Sequence, residues 1–433
     1  MKSINSIRVQ EGFKNMWKKK YLILIPVVYC LIIGRFSYAG ERLLGKMGSP
    51  FSSDLYIMIF YTLMVVILMV GLIGIVCMLG TPISSKKIEG ELVDIGFSDK
   101  DGNPPILISR LNENKGIRLE FYSPKISFVK YEDHISEIET ALNIKVVDIR
   151  QGKDIQHIVI RAVKSGKESK EMIWWKDDFL SNKDFVLVLG ESYFGTETIN
   201  ISATPHVLIG GASGSGKSKL LKSVLMQAIK KEAIVILADF KGGVDYPSIW
   251  HKACTIITEP EALDVKLEWV LQILEERRNM LVKYGVPNIA ECNEKYGTSI
   301  HRIIVACDEI AEVLDKTGLD KDQKAIINQI EAKFSTIARL GRAFGIHIIF
   351  ATQRPDAEIL KGQIKNNIGY RICGRADKVL SQIILDNSEA SDKISPNDQG
   401  MFLTNTGALF KAYYVEDDCL EGVDLDGEAS DKR

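Results

Sequence analysis

No C-x-x-C pair occurs among the seven cysteines, and the six histidines form no ligand-spaced cluster. Those absences exclude a disulfide framework and a structural zinc site, and they fit a soluble part kept in a reducing cytoplasm. Excess charge is missing too: 55 basic against 56 acidic residues leave a formal net charge of −1. Bulk charge therefore carries no argument for a nucleic-acid partner, and only local sites can. The balance is uneven along the chain. Residues 1–20 hold Lys2, Arg8, Lys14, Lys18, Lys19 and Lys20 against the single acid Glu11, whereas the stretch from Glu416 onward is acidic. No long repeat or low-complexity segment occurs, and 433 residues give room for two or three compact units.

Charge is also missing from Leu55 to Leu79, 25 residues rich in Ile, Leu, Val and Met. About 20 apolar residues cross a bilayer as a helix, so this run has the length of a span. Tyr21 to Gly34 is shorter, and reaches spanning length only with Arg35 to Ala39 included, Arg35 snorkelling to the headgroups. A cleaved signal peptide competes with that reading, but no small-residue cleavage site follows. The expectation is two transmembrane helices, at about 21–39 and 55–79. Lys18 to Lys20 before the first and Lys86 and Lys87 after the second point to a multi-pass cell-membrane protein with both termini cytoplasmic.

Residues 85–190 have mixed α/β character and read as a small adaptor domain. The turn Asp101-Gly102-Asn103 and Pro104-Pro105 separate the apolar runs Leu92–Phe97 and Ile106–Ser109. Ile135, Ile138 and Leu142 have helical spacing, while Lys145–Ile149 and Ile155–Ala162 alternate as strands.

The chemistry lies further on. His206 to Gly210 is a buried-strand pattern leading into Gly211-Ala212-Ser213-Gly214-Ser215-Gly216-Lys217-Ser218, a complete G-x-x-x-x-G-K-[ST], and Leu220, Leu221, Val224, Leu225 and Ile229 then mark one face of a helix. In that arrangement backbone N–H groups curl around phosphate oxygens, the helix N-terminus favours the anion, Lys217 reaches the β- and γ-phosphates, and Ser218 ligates Mg²⁺. ATP and Mg²⁺ are the implied ligands. A second buried strand, Ile303 to Cys307, ends in Asp308 and Glu309. Asp308 suits a water-mediated hold on Mg²⁺, and Glu309 suits a general base for the attacking water. A third strand, Ile346 to Thr352, ends at Gln353, placed to contact the γ-phosphate or lytic water, or simply to satisfy a backbone group. Ile234 to Leu237 is a fourth, followed by Asp239-Phe240-Lys241. Strands alternating with helices imply a parallel sheet with its ligand at the strand C-termini.

These segments resemble the FtsK/SpoIIIE family of DNA-pumping motors. The matching residues are His206–Ser218, Asp239–Lys241, Val305–Glu309, Ile337–His347, Ala351–Pro355, Ile364–Ile368, Arg371, Ile384–Asp386 and Gly400–Phe402, covering about residues 185–415 in family order. The adaptor and two-span N-terminus are similar to the conjugation branch, the TcpA-type coupling ATPases of Gram-positive conjugative elements. The resemblance implies a RecA-like α/β P-loop motor with a mostly parallel sheet over 191–415, after two transmembrane helices within 1–84 and the 85–190 adaptor, with an acidic tail at 416–433. It further implies a homo-hexameric ring around DNA, with channel and relaxosome proteins as partners. An arginine from the neighbouring subunit would complete each ATP site, and Arg339 and Arg342 are the candidates, although exposed helical arginines are commonly solvated surface groups. The family's aspartate-proline-lysine stands here as Asp239-Phe240-Lys241. Lys361, Lys365, Arg371, Arg375 and Lys378 form the densest basic stretch, suited to DNA phosphates or to ordinary surface charge. A type VII-like protein-secretion ATPase and a chromosome-partition translocase of double-stranded DNA are the alternative readings. One Walker A weakens the first, and the expected lack of an orientation-reading winged helix weakens the second.

Overall fold

The computed structural model describes residues 4–44, 53–114, 116–164, 172–353 and 362–421. The chain divides into two units, Met1–Lys167 and Glu168–Arg433.

In the first unit α1 (Ile4–Lys18), α2 (Leu24–Leu44) and α3 (Ser53–Leu79) precede α4 (Ser85–Asp94). Two helical segments, Lys20–Leu43 and Tyr56–Leu79, are long and apolar enough to cross a membrane. Their apolar side chains face outward, Leu31 being 68% and Val70 64% exposed, the inverse of a soluble core helix. Helix α2 continues past Ala39, where the apolar pattern ends, because nothing in Gly40–Leu44 breaks a helix strongly enough to stop it.

Helix α1 was not anticipated. It lies against the last turns of α3, where a Cβ on Gly12 would fall on the Val76 carbonyl, so glycine alone permits the approach. Asn15 Nδ2 donates to Leu79 O at 2.9 Å. Buried Arg8 donates to Ser85 Oγ at 2.5 Å, to the Glu89 carboxylate and to the Leu107 carbonyl, while Glu89 accepts from Leu107 N at 2.8 Å. Deleting one partner of a buried ion pair of this kind costs about 3–5 kcal/mol. The N-terminal helix is thereby tied to the adaptor.

The adaptor sheet is antiparallel, in the order β1-β2-β4-β3, from β1 (Ile106–Glu113), β2 (Gly116–Tyr122), β3 (Ile144–Gln151) and β4 (His157–Lys164). Helix α4, α5 (Phe128–Asp133) and α6 (Ile135–Leu142) share one core with it, built on Leu92, Phe97, Leu119, Phe121, Tyr131 and Ile138.

The second unit is organised on an eleven-stranded sheet, counted among the described residues. Its strands are β5 (Ile173–Trp174), β6 (Val186–Ser192), β7 (Gly195–Asn200), β8 (His206–Gly210), β9 (Ile234–Ala238), β10 (Thr255–Ile257), β11 (Ile303–Cys307), β12 (Ile346–Thr352), β13 (Tyr370–Cys373), β14 (Met401–Thr404) and β15 (Leu409–Tyr414). The order is β10-β9-β11-β12-β8-β13-β14-β15-β6-β7, with β5 beside β15. From β10 to β13 every pairing is parallel, and β14, β15, β6 and β7 extend the sheet antiparallel. Strands β8, β11 and β12 are buried at every position, as a parallel sheet covered on both faces requires. One face carries α7 (Lys217–Lys230) through Leu220, Leu221, Val224 and Leu225. The other carries the helices Pro260–Tyr284 and Lys321–Leu340 through Leu263, Leu267, Ile330 and Phe334. This is the expected P-loop α/β architecture with its parallel core.

Two expected boundaries move. The stretch 172–190, assigned from sequence to the adaptor, belongs to the second unit: β6 pairs with β15 and β7, and Arg302 Nη2 donates to Asp184 at 2.8 Å. The acidic tail does not begin at Glu416 as a free segment either. Leu420 is buried, and Asp417 accepts from Lys222 Nζ at 2.8 Å and Trp250 Nε1 at 2.6 Å. Residues 422–433 lie outside the described part.

A fragment beginning at residue 172 should fold and melt cooperatively, whereas one beginning at 191 should aggregate or melt about 10 °C or more lower. The shorter fragment loses the fully buried Leu187 and Leu189 and bares an edge of β15. Calorimetry of the two fragments decides it, and equal melting would place the boundary back at 190.

Candidate active site

The parallel strands deliver their C-terminal ends to one edge, and the polar residues gather there. Strand β8 runs between β12 and β13 and breaks into the glycine loop at Gly211. Gly211, Gly214 and Gly216 have φ of 151°, 72° and 104°, values that side chains disfavour, and the loop needs them to turn its N–H groups inward before α7 starts. Its position is fixed by neighbouring backbone: Gly374 N donates to Gly210 O at 2.8 Å, Ala212 N to Arg375 O at 2.7 Å, and Gly400 N to Ser215 O at 2.9 Å. Arg375 also clamps the loop with its side chain, Nη2 donating to Ser213 O at 2.5 Å and Nη1 to Pro396 O at 2.8 Å.

Lys217 is 5% exposed and donates to Gly211 O at 2.8 Å and Ala212 O at 3.3 Å, so its ammonium sits inside the loop on weak neutral acceptors. Burial pulls its pKa down to about 8, against the Glu309 and Asp308 carboxylates, which hold it up.

Asp308 and Glu309 follow β11 and are both buried. Burial raises the Asp308 carboxyl, opposed by the Lys241 charge and by a hydrogen bond from Ser218, and Asp308 Oδ1 has no protein partner. Glu309 is held differently. It accepts from Thr352 Oγ1 at 2.6 Å and from Gln353 N at 2.8 and 3.2 Å, so the end of β12 fixes its orientation. An open cleft of about 460 Å³ adjoins the loop, lined by Ala212, Ser213, Gln353, Asp377, Leu380 and Ile383.

A divalent cation fits this edge. The Ser218 hydroxyl and the orphaned Asp308 oxygen are hard oxygen donors, and no group of three or more His, Cys, Asp or Glu side chains forms a protein cage among the described residues. A cation there must take its other ligands from water and phosphate, as Mg²⁺ characteristically does.

Of the residues expected from sequence, Gly211 to Ser218, Asp308, Glu309 and Gln353 converge on one edge. Arg339 and Arg342 do not. They lie exposed just before β12 begins, while the site is at its other end, seven residues and roughly 20 Å away. The basic stretch is largely engaged: Lys365 and Arg371 both pair with Asp386, Arg375 clamps the glycine loop, and Lys361 lies outside the described residues. Thr352 and the clamping role of Arg375 were not anticipated. The polar end of a largely apolar buried strand was a usable signal for Thr352, but nothing local marks Arg375.

A family model, FtsK/SpoIIIE family, matches residues 181–357. The DNA translocase FtsK of Brucella suis biovar 1 (strain 1330) is 26% identical over 394 residues, covering 78% of this chain and 43% of that protein. The DNA translocase SftA of Bacillus subtilis (strain 168) is 32% identical over 219 residues, covering 48% and 22%. The chain thus spans less than half the length of these curated relatives. Among solved structures, the pCW3 conjugation coupling protein TcpA, in a monomer form with ATPγS, is 34% identical with a TM-score of 0.58, covering 77% of this chain and 96% of that one. A likeness that takes in nearly all of the coupling protein's structure, on a sheet that ends in a complete phosphate loop, makes this chain a member of the FtsK/SpoIIIE family of P-loop ATPases.

Proposed function

We propose that the chain is a membrane-anchored, ATP-driven DNA translocase that moves DNA through a conjugative transfer channel as a ring of its own copies. The observation that carries the ATPase part is the convergence of the glycine loop, Asp308, Glu309 and Gln353 on the C-terminal edge of one sheet. The coupling-protein likeness, at 34% identity across 96% of that structure, supports DNA as the substrate and conjugation as the setting.

On this reading Lys217 exchanges the carbonyls of Gly211 and Ala212 for the β- and γ-phosphate oxygens of ATP. Ser218 and Asp308 would hold Mg²⁺, and the cation when bound would neutralise charge on the phosphates. Glu309, aimed by Thr352 and Gln353, takes the proton of the attacking water. In the proposed ring Arg339 and Arg342, exposed and far from the site of their own chain, are the candidates to complete a neighbour's site.

The membrane reading rests on the two exposed apolar helices and on α1. At the C-terminal end of α3, α1 turns outward Phe13 and Trp17, which are 60% and 85% exposed, next to Lys14 and Lys18. Aromatic and lysine side chains together suit a helix lying at the headgroup level of an anionic leaflet.

Turnover of the full chain in lipid nanodiscs tests the function. ATP hydrolysis should rise on adding DNA, single- or double-stranded, and Lys217→Ala should lower it by about 10²–10³-fold with the protein still folded. Indifference to both kinds of DNA would overturn the translocase reading.

The depressed pKa of Lys217 yields a second expectation. The free site holds a neutral lysine above about pH 8, and phosphate oxygens would raise its pKa again. ATP binding should therefore take up a proton above about pH 8 and none near pH 7, so affinity falls as pH rises through 8. Calorimetric titration in two buffers of different ionisation enthalpy measures this, and proton release at about pH 9 would contradict it.

A further inference from the structure

Beside the Asp308 end of β11 is a second carboxylate to which no role has been given. Strands β9 and β11 pair in parallel with Ala238 opposite Cys307, so Asp239 and Asp308 leave the sheet side by side. Asp308 N donates to Ala238 O at 3.2 Å, and Asp239 N to Ile257 O at 2.9 Å, which fixes both backbones. Asp239 is 2% exposed. Its Oδ1 accepts from Lys241 N at 3.1 Å and closes a local turn, a task an asparagine performs equally well. Its Oδ2 is buried and has no partner, like Oδ1 of Asp308.

A third orphan stands with them. Tyr246 is 2% exposed, with its ring edge-on to Trp250 at 5.5 Å, and its buried hydroxyl has no partner. The charges of Asp308, Asp239 and Asp245 all reach that hydroxyl. Two like-charged carboxylates and a phenol, each with an unsatisfied buried atom, are an unfavourable arrangement in a packed protein unless something occupies the space between them. The charge of Lys241 falls on Asp308 but occupies none of the orphaned oxygens.

We propose that Asp239, with Tyr246 beside it, forms the second wall of the cation shell, accepting hydrogen bonds from water molecules on the divalent cation that ATP brings to Ser218 and Asp308. Mg²⁺ surrenders its water reluctantly, and a site with one serine and one aspartate leaves several of those waters to be held by the protein. Asp239 Oδ2 and Asp308 Oδ1 take them from two sides, and the Tyr246 hydroxyl completes the ring. Asp239 is on this account a positioning residue, acting on the nucleotide through the metal's waters.

The inference rests on the nucleotide reading of the same edge, and one experiment separates the two. Binding of a fluorescent ADP analogue to the full chain is measured without metal and with Mg²⁺, and Mn²⁺ affinity of the ADP complex is read by electron paramagnetic resonance. Asp239→Asn, which keeps the turn, should weaken Mn²⁺ by about 10–100-fold while metal-free nucleotide binding stays equal or tightens. Tyr246→Phe should move Mn²⁺ affinity in the same direction by less. Mn²⁺ affinity unchanged in Asp239→Asn overturns the shell alone, as does loss of metal-free binding, which would make the residue structural. Absence of ADP binding by the wild-type chain would overturn the nucleotide site and the shell with it.

Discussion

Charge held at the edge of an apolar sheet is the constraint on which the second unit depends. Strands β8, β11 and β12 are buried along their whole length, so the residues that end them emerge into a space with little water. Lys217, Asp308 and Glu309 are each less than a tenth exposed there. In such surroundings a charge is tolerated only with a partner, and each of these has a provisional one: carbonyls for Lys217, Ser218 for Asp308, Thr352 and Gln353 N for Glu309. The arrangement is poised for a ligand that brings phosphate and a cation together. Its preorganisation comes from the sheet, and its incomplete pairing is what binding would satisfy.

The remainder of the unit serves to hold that edge still. The glycine loop is gripped from three sides by Gly374, Gly400 and Arg375, so residues from β13 and β14 set the position of a loop that starts on β8. The antiparallel strands β14, β15 and β6 therefore contribute to the site without touching its chemistry. In the first unit the Arg8–Glu89 pair plays the comparable structural part, joining the helix at the start of the chain to the adaptor sheet.

The parallel core and most of the site were legible in the sequence because strands buried on both faces read as near-continuous apolar runs, interrupted here by buried histidines such as His206 and His347. Ile346–Thr352 was identified residue for residue, and the glycine loop is a pattern with a single mechanical purpose. What was not legible depends on partners distant in sequence. Val186–Ser192 looks the same whether it joins the adaptor or the motor, and only its pairing with β15, more than two hundred residues on, decides. Likewise Arg371 and Arg375 read as free positive charge until Asp386 and the Ser213 carbonyl are seen beside them. Helix α1 was hidden by its mixed composition, because the glycine and arginine that dock it have no helical signature of their own.

In the proposed ring each ATP site depends on a neighbouring subunit, because Arg339 and Arg342, the arginines proposed to complete it, lie just before β12 begins, at the far end from their own site. Wild-type chain mixed in nanodiscs with increasing fractions of Glu309→Gln, at constant total protein and saturating DNA, measures this directly. A Glu309→Gln subunit should bind ATP and fail to turn it over, so its neighbours stall with it. The account predicts ATPase activity that falls more steeply than the fraction of wild-type subunits. A strictly linear fall would mean that each chain hydrolyses alone, and would contradict it.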